Sequence, residues 1–375
     1  MFLPTFPPQQ QLQRDLQSPN HLQVCVGLIA LTNIGTKDMI PALLPSVITS
    51  LDHKQALVRK KAVMAMHHFW RMDPESVVDY TDQFRRILCD TDPSVMASGL
   101  HILMALAKDD PTSYKDLVPS FVSILKQITE HRLSRDYDYH RMPAPWIQIK
   151  LLQILGILGA ADQTASESMY EVIHEVMRRA DTGINVGYAI MYECVRTVTT
   201  IYPNTTLLNA AADSIARFMQ SENHNLKYLG VTGLASVVED HPRYAAKHQM
   251  AVMDCLEDPD ETLKRKTLQL LYRMTNPVNV EVIVGKLLDF LRSATDVFLR
   301  TQLVAQISQL AERFAPSNQW FITTLTTVFE LGGDLVKPEV AHTVMRLIAE
   351  GSGEDDEADD ELRQDVVEDY IELLK

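Results

Sequence analysis

The run Pro143-Ala144-Pro145-Trp146-Ile147-Gln148-Ile149-Lys150-Leu151-Leu152-Gln153-Ile154-Leu155-Gly156-Ile157-Leu158-Gly159 decides how the rest of the chain is read. Its prolines hold the entry extended and stop any helix arriving from upstream. Beyond them, apolar residues fall at 147, 151, 154, 155 and 158, the spacing of one helix face. Ile149, Leu152 and Ile157 make the other flanks apolar too, and only Gln148, Lys150 and Gln153 are polar between Trp146 and Leu158. A helix this apolar has to be covered on more than one side. It is too short and too interrupted for a bilayer span, which needs ~20 consecutive apolar residues. The run therefore predicts a helix buried between neighbours in a longer stack, with Trp146, Ile147, Leu151, Leu152 and Leu155 as its structural core.

Outward from this helix, one unit recurs. A turn carrying Asp, Asn or Pro leads into a helix, as in Leu51-Asp52-His53-Lys54-Gln55-Ala56-Leu57-Val58, Asp90-Thr91-Asp92-Pro93-Ser94-Val95 and Glu257-Asp258-Pro259-Asp260-Glu261-Thr262-Leu263. The first apolar residues of successive copies are Val58, Val95, Ile147, Val186, Leu226, Leu263 and Phe298. They lie about 35 to 40 residues apart, with one gap of about 52 before the central helix, close to the ~40–47 of HEAT and armadillo repeats. A partner helix precedes each, for example over residues 74–88, 205–220, 242–256 and 278–292. Paired antiparallel helices stacked side by side make an all-α, HEAT/armadillo-type helical-repeat solenoid. Asp92, Asn223 and Asp258 are placed to cap helix N-termini.

The expected organisation is a disordered Pro- and Gln-rich segment over residues 1–13, the solenoid over 14–350, an acidic linker over 351–361 and a terminal amphipathic helix over 362–375. The apolar face of that last helix carries Val366, Val367, Tyr370, Leu373 and Leu374. A chain of 375 residues exceeds one ordinary compact domain, but a repeat array only asks each unit to cover its neighbours. A net charge of −14 opposes nucleic-acid binding, while leaving room for a local basic patch. Cys25, Cys89, Cys194 and Cys255 form no CxxC pair and read as buried thiols in a reducing compartment. The N-terminus lacks the pattern of a signal peptide, and no segment is long and apolar enough to cross a membrane. The expectation is a cytosolic protein whose membrane contact is peripheral.

No P-loop, dinucleotide glycine pattern or His-Glu-x-x-His is present, and His67-His68, adjacent on a helix, point about 100° apart and cannot share a metal. The expectation is no enzyme, no cofactor and no metal. Two surfaces stand out instead. The basic triplets Arg59-Lys60-Lys61 and Lys264-Arg265-Lys266 occupy the same place in two units, as partner or phosphate contacts or as a face laced with local ion pairs. The long gap before the central helix holds a polar, aromatic, aperiodic loop over residues 130–142, expected to project from the stack, where Arg135, Tyr137, Tyr139 and Arg141 are candidate binding residues.

Several segments carry a family resemblance. Leu88-Cys89-Asp90-Thr91-Asp92-Pro93-Ser94-Val95-Met96, the run from Pro143 to Gly159, Tyr188-Ala189-Ile190-Met191-Tyr192-Glu193-Cys194-Val195, Asn225-Leu226-Lys227-Tyr228-Leu229-Gly230 and Phe314-Ala315-Pro316-Ser317-Asn318-Gln319-Trp320-Phe321 resemble the trunk of the large adaptin subunits of adaptor-protein vesicle coats. His248-Gln249-Met250-Ala251-Val252-Met253-Asp254-Cys255-Leu256 and Phe329-Glu330-Leu331-Gly332-Gly333-Asp334 look most like the epsilon branch, that of the fourth adaptor complex. The resemblance implies a scaffold subunit of a heterotetrameric coat in vesicle-mediated protein transport, peripheral on trans-Golgi and endosomal membranes. The implied partners are medium, small and second large (beta-type) subunits, with an Arf-type small GTPase and sorting-signal cargo engaged through the complex. Residues 1–13 resemble nothing in the family, and the first trunk helices, the hinge and the ear are expected to be missing. No GTPase, lipid or cargo residue is therefore carried over. Importin-type nuclear transport receptors and HEAT-repeat regulatory scaffolds share the repeat architecture and are the alternatives.

Overall fold

The computed structural model describes residues 8–351 and 356–373. Residues 1–7 of the expected N-terminal segment, 352–355 of the expected linker, and the side chains of Tyr370, Leu373 and Leu374 lie outside that description. Its contacts divide the chain into two compact units, Met1–Leu208 and Asn209–Lys375, with the division inside the helix Thr205–Met219.

In the first unit, the helices His21–Ile34, Ala56–Met72, Pro93–Asp109, Pro145–Gly159 and Asn185–Thr200 pack one against the next as a row. Each is the second member of its pair. First members such as Ile40–Leu51, Val118–Thr129 and Tyr170–Ala180 pack onto that row. The second unit repeats the scheme with His224–Asp240, Glu261–Met274 and Val297–Phe314, backed by Arg243–Asp254, Val280–Ser293 and Asn318–Gly332. This is an all-α helical-repeat solenoid fold.

The helices start where the turn chemistry says. Asp92 accepts from Ser94 N at 2.8 Å and Asn223 from Asn225 N at 2.9 Å. Asp260, rather than Asp258, caps Glu261–Met274 by accepting from Leu263 N at 2.7 Å, while Asp258 accepts from Asp260 N. Pro145–Gly159 lies among Pro93–Asp109, Val118–Thr129 and Asn185–Thr200, with Leu151, Leu152 and Leu155 fully buried and Ile147 nearly so. At its end the neighbours close in: a Cβ on Gly159 would stand 2.7 Å from Cγ2 of Ile201.

Several expectations need correction. Residues 8–13, expected as disordered, belong to the helix Pro8–Leu16, whose Leu12 and Leu16 are buried. Glutamine is a good helix former, and two leucines four apart give the segment an anchor. The expected linker is largely helix as well, because Asp356–Leu373 runs from inside it through Val366. Leu362 and Val366 are buried, but Val367 is exposed. Trp146 is not core: it is 63% exposed, the second residue of its helix, and its ring meets Tyr139 edge-on at 4.9 Å. Phe298 is 68% exposed, so the apolar register of that repeat starts one residue later, at the buried Leu299. Cys89 is exposed, whereas Cys25, Cys194 and Cys255 are buried.

Candidate anion-binding groove

The basic residues at the starts of second helices have a recurrent geometric task. Arg59 sits in the first turn of Ala56–Met72, and its guanidinium reaches the turn before the next second helix. There Nε donates to Asp90 Oδ2 at 2.8 Å and Nη2 to Oδ1 at 2.7 Å. The partner lies 31 residues on. The same step recurs as Lys227 to Asp258 at 2.7 Å and Arg265 to Asp296 at 2.9 Å. Arg300 to the Leu331 carbonyl repeats it again, and Arg85, in the last turn of the helix Thr81–Ile87, makes a tie of the same sequence span to Asp116. These ties link consecutive pairs within a unit. The hydrogen bond to Asp90 raises the Arg59 pKa further, so this cation is always charged. Burial alone would lift the Asp258 carboxyl, but hydrogen bonds from Lys227, the Asp260 backbone and His224 outweigh it and hold the group at about 2.

Beside Arg59 the first unit opens a cavity of about 580 Å³. One wall is a face of Ala56–Met72, read by helical spacing as Lys60, Met64, His67, His68 and Arg71. The facing wall is Ser94, Ala97, Ser98 and His101 of Pro93–Asp109. Thr32, Tyr137 and Ile147 close it. No carboxylate among the described residues lines it. Asp92 stands beside the lining residue Ser94, where it accepts from Ser94 N and from the Tyr137 hydroxyl at 3.3 Å. Lys60 and Arg71 make no ion pair or hydrogen bond among the described residues. His68 has its Nε2 buried and without a partner. Burial first, then neighbouring positive charge, depresses His67, His68 and His101, so all three are neutral at neutral pH. Lys150, which contributes positive charge to His67 and His101, is itself depressed by burial and by Lys108, with Glu193 opposing.

The loop before the central helix is built back onto the stack. Asp138–Tyr139 and Met142–Pro143 pair antiparallel, and His140 and Arg141 take φ of 49° and 65° between them, as a tight primed hairpin turn requires. Ala144 follows at φ 37°, and Gln148 Nε2 donates to the Pro143 carbonyl at 2.6 Å, fastening the hairpin to Pro145–Gly159. Arg135, Tyr139 and Arg141 are exposed on this loop, whereas Tyr137 turns inward to Asp92 and the cavity.

The model of the adaptin N-terminal region matches residues 9–362. The chain belongs to this adaptin family. AP-4 complex subunit epsilon from Arabidopsis thaliana is 52% identical over 364 residues, 97% of this chain and 39% of the relative's own length. The adaptin chain therefore spans well under half of that relative. Among solved structures, one chain of a homology model of the full-length AP-3 complex in an intermediate open conformation superposes with a TM-score of 0.64 at 17% identity, covering 98% of this chain and 65% of that one. A structure of Kap95p with RanGDP gives 0.63 at 10% identity, covering 92% and 45%. These two likenesses are equal in size and concern the fold; sequence identity separates the families.

In this adaptin the sequence candidates have different fates. Lys60 and Tyr137, from the first triplet and from the loop, meet at one cavity. Arg59 is taken by Asp90, and Lys61 has no partner among the described residues but does not line the cavity. Lys264, Arg265 and Lys266 are engaged by Glu261, Asp296 and Gln269, and Arg135, Tyr139 and Arg141 lie outside the groove. Sequence reading missed Arg71, His101, Ser94 and Ser98, and weighed His67 and His68 only as metal ligands. The available signal was the polar face at 60, 67, 68 and 71 on an otherwise apolar-stacking helix.

Proposed function

We propose that this adaptin is a scaffold subunit of a heterotetrameric adaptor coat in vesicle-mediated protein transport. The observation that carries the reading is 52% identity to an AP-4 epsilon subunit across nearly the entire chain. The role is structural: helix pairs present a long surface to medium, small and beta-type subunits, and no reaction is assigned to the chain. An Arf-type GTPase and sorting-signal cargo are engaged through the assembled complex. The working place is the cytosolic face of trans-Golgi or endosomal membranes, reached peripherally, as suits described helices none of which is long and apolar enough to span a bilayer. Affinity purification of the tagged chain from its own cells tests this. Recovery of the three other adaptor subunits in equal amounts is expected. Recovery of a Ran-type GTPase with import cargo, or of a phosphatase catalytic subunit, would replace the reading with one of the other helical-repeat functions.

A further inference from the structure

The groove between Ala56–Met72 and Pro93–Asp109 is left over from the scaffold role. In a chain of net charge −14 it gathers Lys60, Arg71 and three histidines without one lining carboxylate. Lys227 and Arg265, at the starts of other second helices, are tied to aspartates 31 residues on, whereas Lys60 and Arg71 make no ion pair or hydrogen bond among the described residues. Opposite them stand the hydroxyls of Ser94 and Ser98, with Thr32 at one end. The Ser98 hydroxyl donates to the Ser94 carbonyl, which leaves its oxygen lone pairs for an incoming donor. His68 Nε2, buried and unpartnered, is a polar atom that the protein itself does not satisfy.

We propose that this groove docks an extended peptide carrying a phosphorylated side chain. A phosphate brings up to two negative charges and three acceptor oxygens, which suits a wall on which Lys60 and Arg71, about 16 Å apart along the helix, flank His67 and His68. A cavity of about 580 Å³ is far larger than the anion alone and falls in the range that houses a whole ligand. The rest of its lining is apolar. Met64 is 47% exposed in the groove, and Ala97 and Ile147 face the same space. A peptide covers these with the residue flanking the phosphate, whereas a lipid headgroup, polar throughout, would leave them wet. The histidines add a gain: an anion beside them favours their protonated form, so binding draws in protons.

The test uses the full chain on arrays of degenerate peptides centred on phosphoserine, phosphothreonine or phosphotyrosine, each with its unphosphorylated twin. Vesicles containing phosphatidylinositol phosphates are run in parallel. At least tenfold stronger capture by one phosphorylated set is expected, lost tenfold or more in the Lys60→Ala/Arg71→Ala double variant and retained in Lys264→Ala/Lys266→Ala. Neither Lys60 nor Arg71 has an ion-pair or hydrogen-bond partner to lose among the described residues, so the double variant should melt like the parent; a charge-reversing Lys60→Glu/Arg71→Glu variant repeats the comparison independently. Equal capture of phosphorylated and plain peptides, or undiminished capture by both variants, overturns the proposal. So does binding to the vesicles without capture of any phosphopeptide.

Discussion

The two basic triplets are the same kind of sequence at the same place in a repeat, and the structure uses them differently. Counted from the first helical residue, Arg59, Lys60 and Lys61 of Ala56–Met72 occupy the places of Lys264, Arg265 and Lys266 of Glu261–Met274. In the second triplet every cation is occupied. Lys264 folds back to Glu261 at 3.0 Å, Arg265 makes the forward tie to Asp296, and Lys266 reaches Gln269 at 3.3 Å. In the first, the forward tie is made one place earlier, by Arg59, and the residue that could fold an acid back onto Lys60 is Leu57. Lys60 is therefore left over. The depth differs too: the Arg59 and Asp90 side chains are 15% and 11% exposed, those of Arg265 and Asp296 46% and 45%. A triplet's role is set by which member reaches the next turn and by what stands one helical turn before it.

Polar ties of this kind are secondary to the apolar stack, and the sharpest way to break that ranking is Leu155→Asp. The leucine is fully buried in the helix that three neighbours cover. An unpaired carboxylate there costs more than the ~2–5 kcal/mol of a leucine-to-alanine cavity. Loss of the cooperative melt of the first unit is expected in calorimetry. A variant that melts like the parent would show that the helix is not what organises the stack.

Arg59→Ala comes next. It leaves Asp90, whose side chain is 11% exposed, without its bidentate partner, so a loss of roughly 2–3 kcal/mol is expected in urea unfolding. Asp258→Asn should follow with about 2 kcal/mol or less, because Lys227 and His224 can turn partly to water. Its signature is in the pH dependence. The folded carboxyl is held at about 2 against an ordinary value of 3.8. A depressed carboxylate contributes stability that is present above about pH 4 and lost as pH falls towards 2. The melting temperature of the parent should therefore fall faster than that of Asp258→Asn between pH 4 and 2, and parallel curves would remove this buried tie from the account. Arg265→Ala, cutting the exposed counterpart, should cost under about 1 kcal/mol. Equal losses for Arg59→Ala and Arg265→Ala would erase the contrast between the triplets.

How much of this was legible follows from the physics of each feature. Helical periodicity is local, so the helices, their pairing and the burial around Leu151 and Leu155 could be read from spacing. Caps at Asp92 and Asn223 are local as well. Trp146 was misplaced because apolarity does not say which way a residue in the first turn faces, and the deciding neighbour, Tyr139, sits on a hairpin too short to leave a periodic trace. Two non-glycine residues with positive φ make that hairpin's turn, and neither announces it in sequence. The ties are invisible for another reason. Nothing in Arg59 or Asp90 alone says that the helices and turns between them will bring them to 2.7 Å, although the recurrence of one spacing is a signal once a single pair is known. The groove needed both: a polar face on one helix and a facing one on the next.

Lys60→Ala is the smallest effect and the most discriminating. With no partner among the described residues to lose and a side chain on the cavity wall, its removal should change unfolding free energy by less than about 0.5 kcal/mol. The stability measurement thus separates two roles that the sequence left open. A lysine in a local ion-pair lattice would cost stability when removed and leave ligand capture unaltered. A lysine kept free for an anion should do the reverse, sparing the melt while weakening capture of the phosphorylated arrays. A destabilisation of 1 kcal/mol or more would assign Lys60 to the scaffold alongside Arg265, and the first triplet would then differ from the second in geometry but not in purpose.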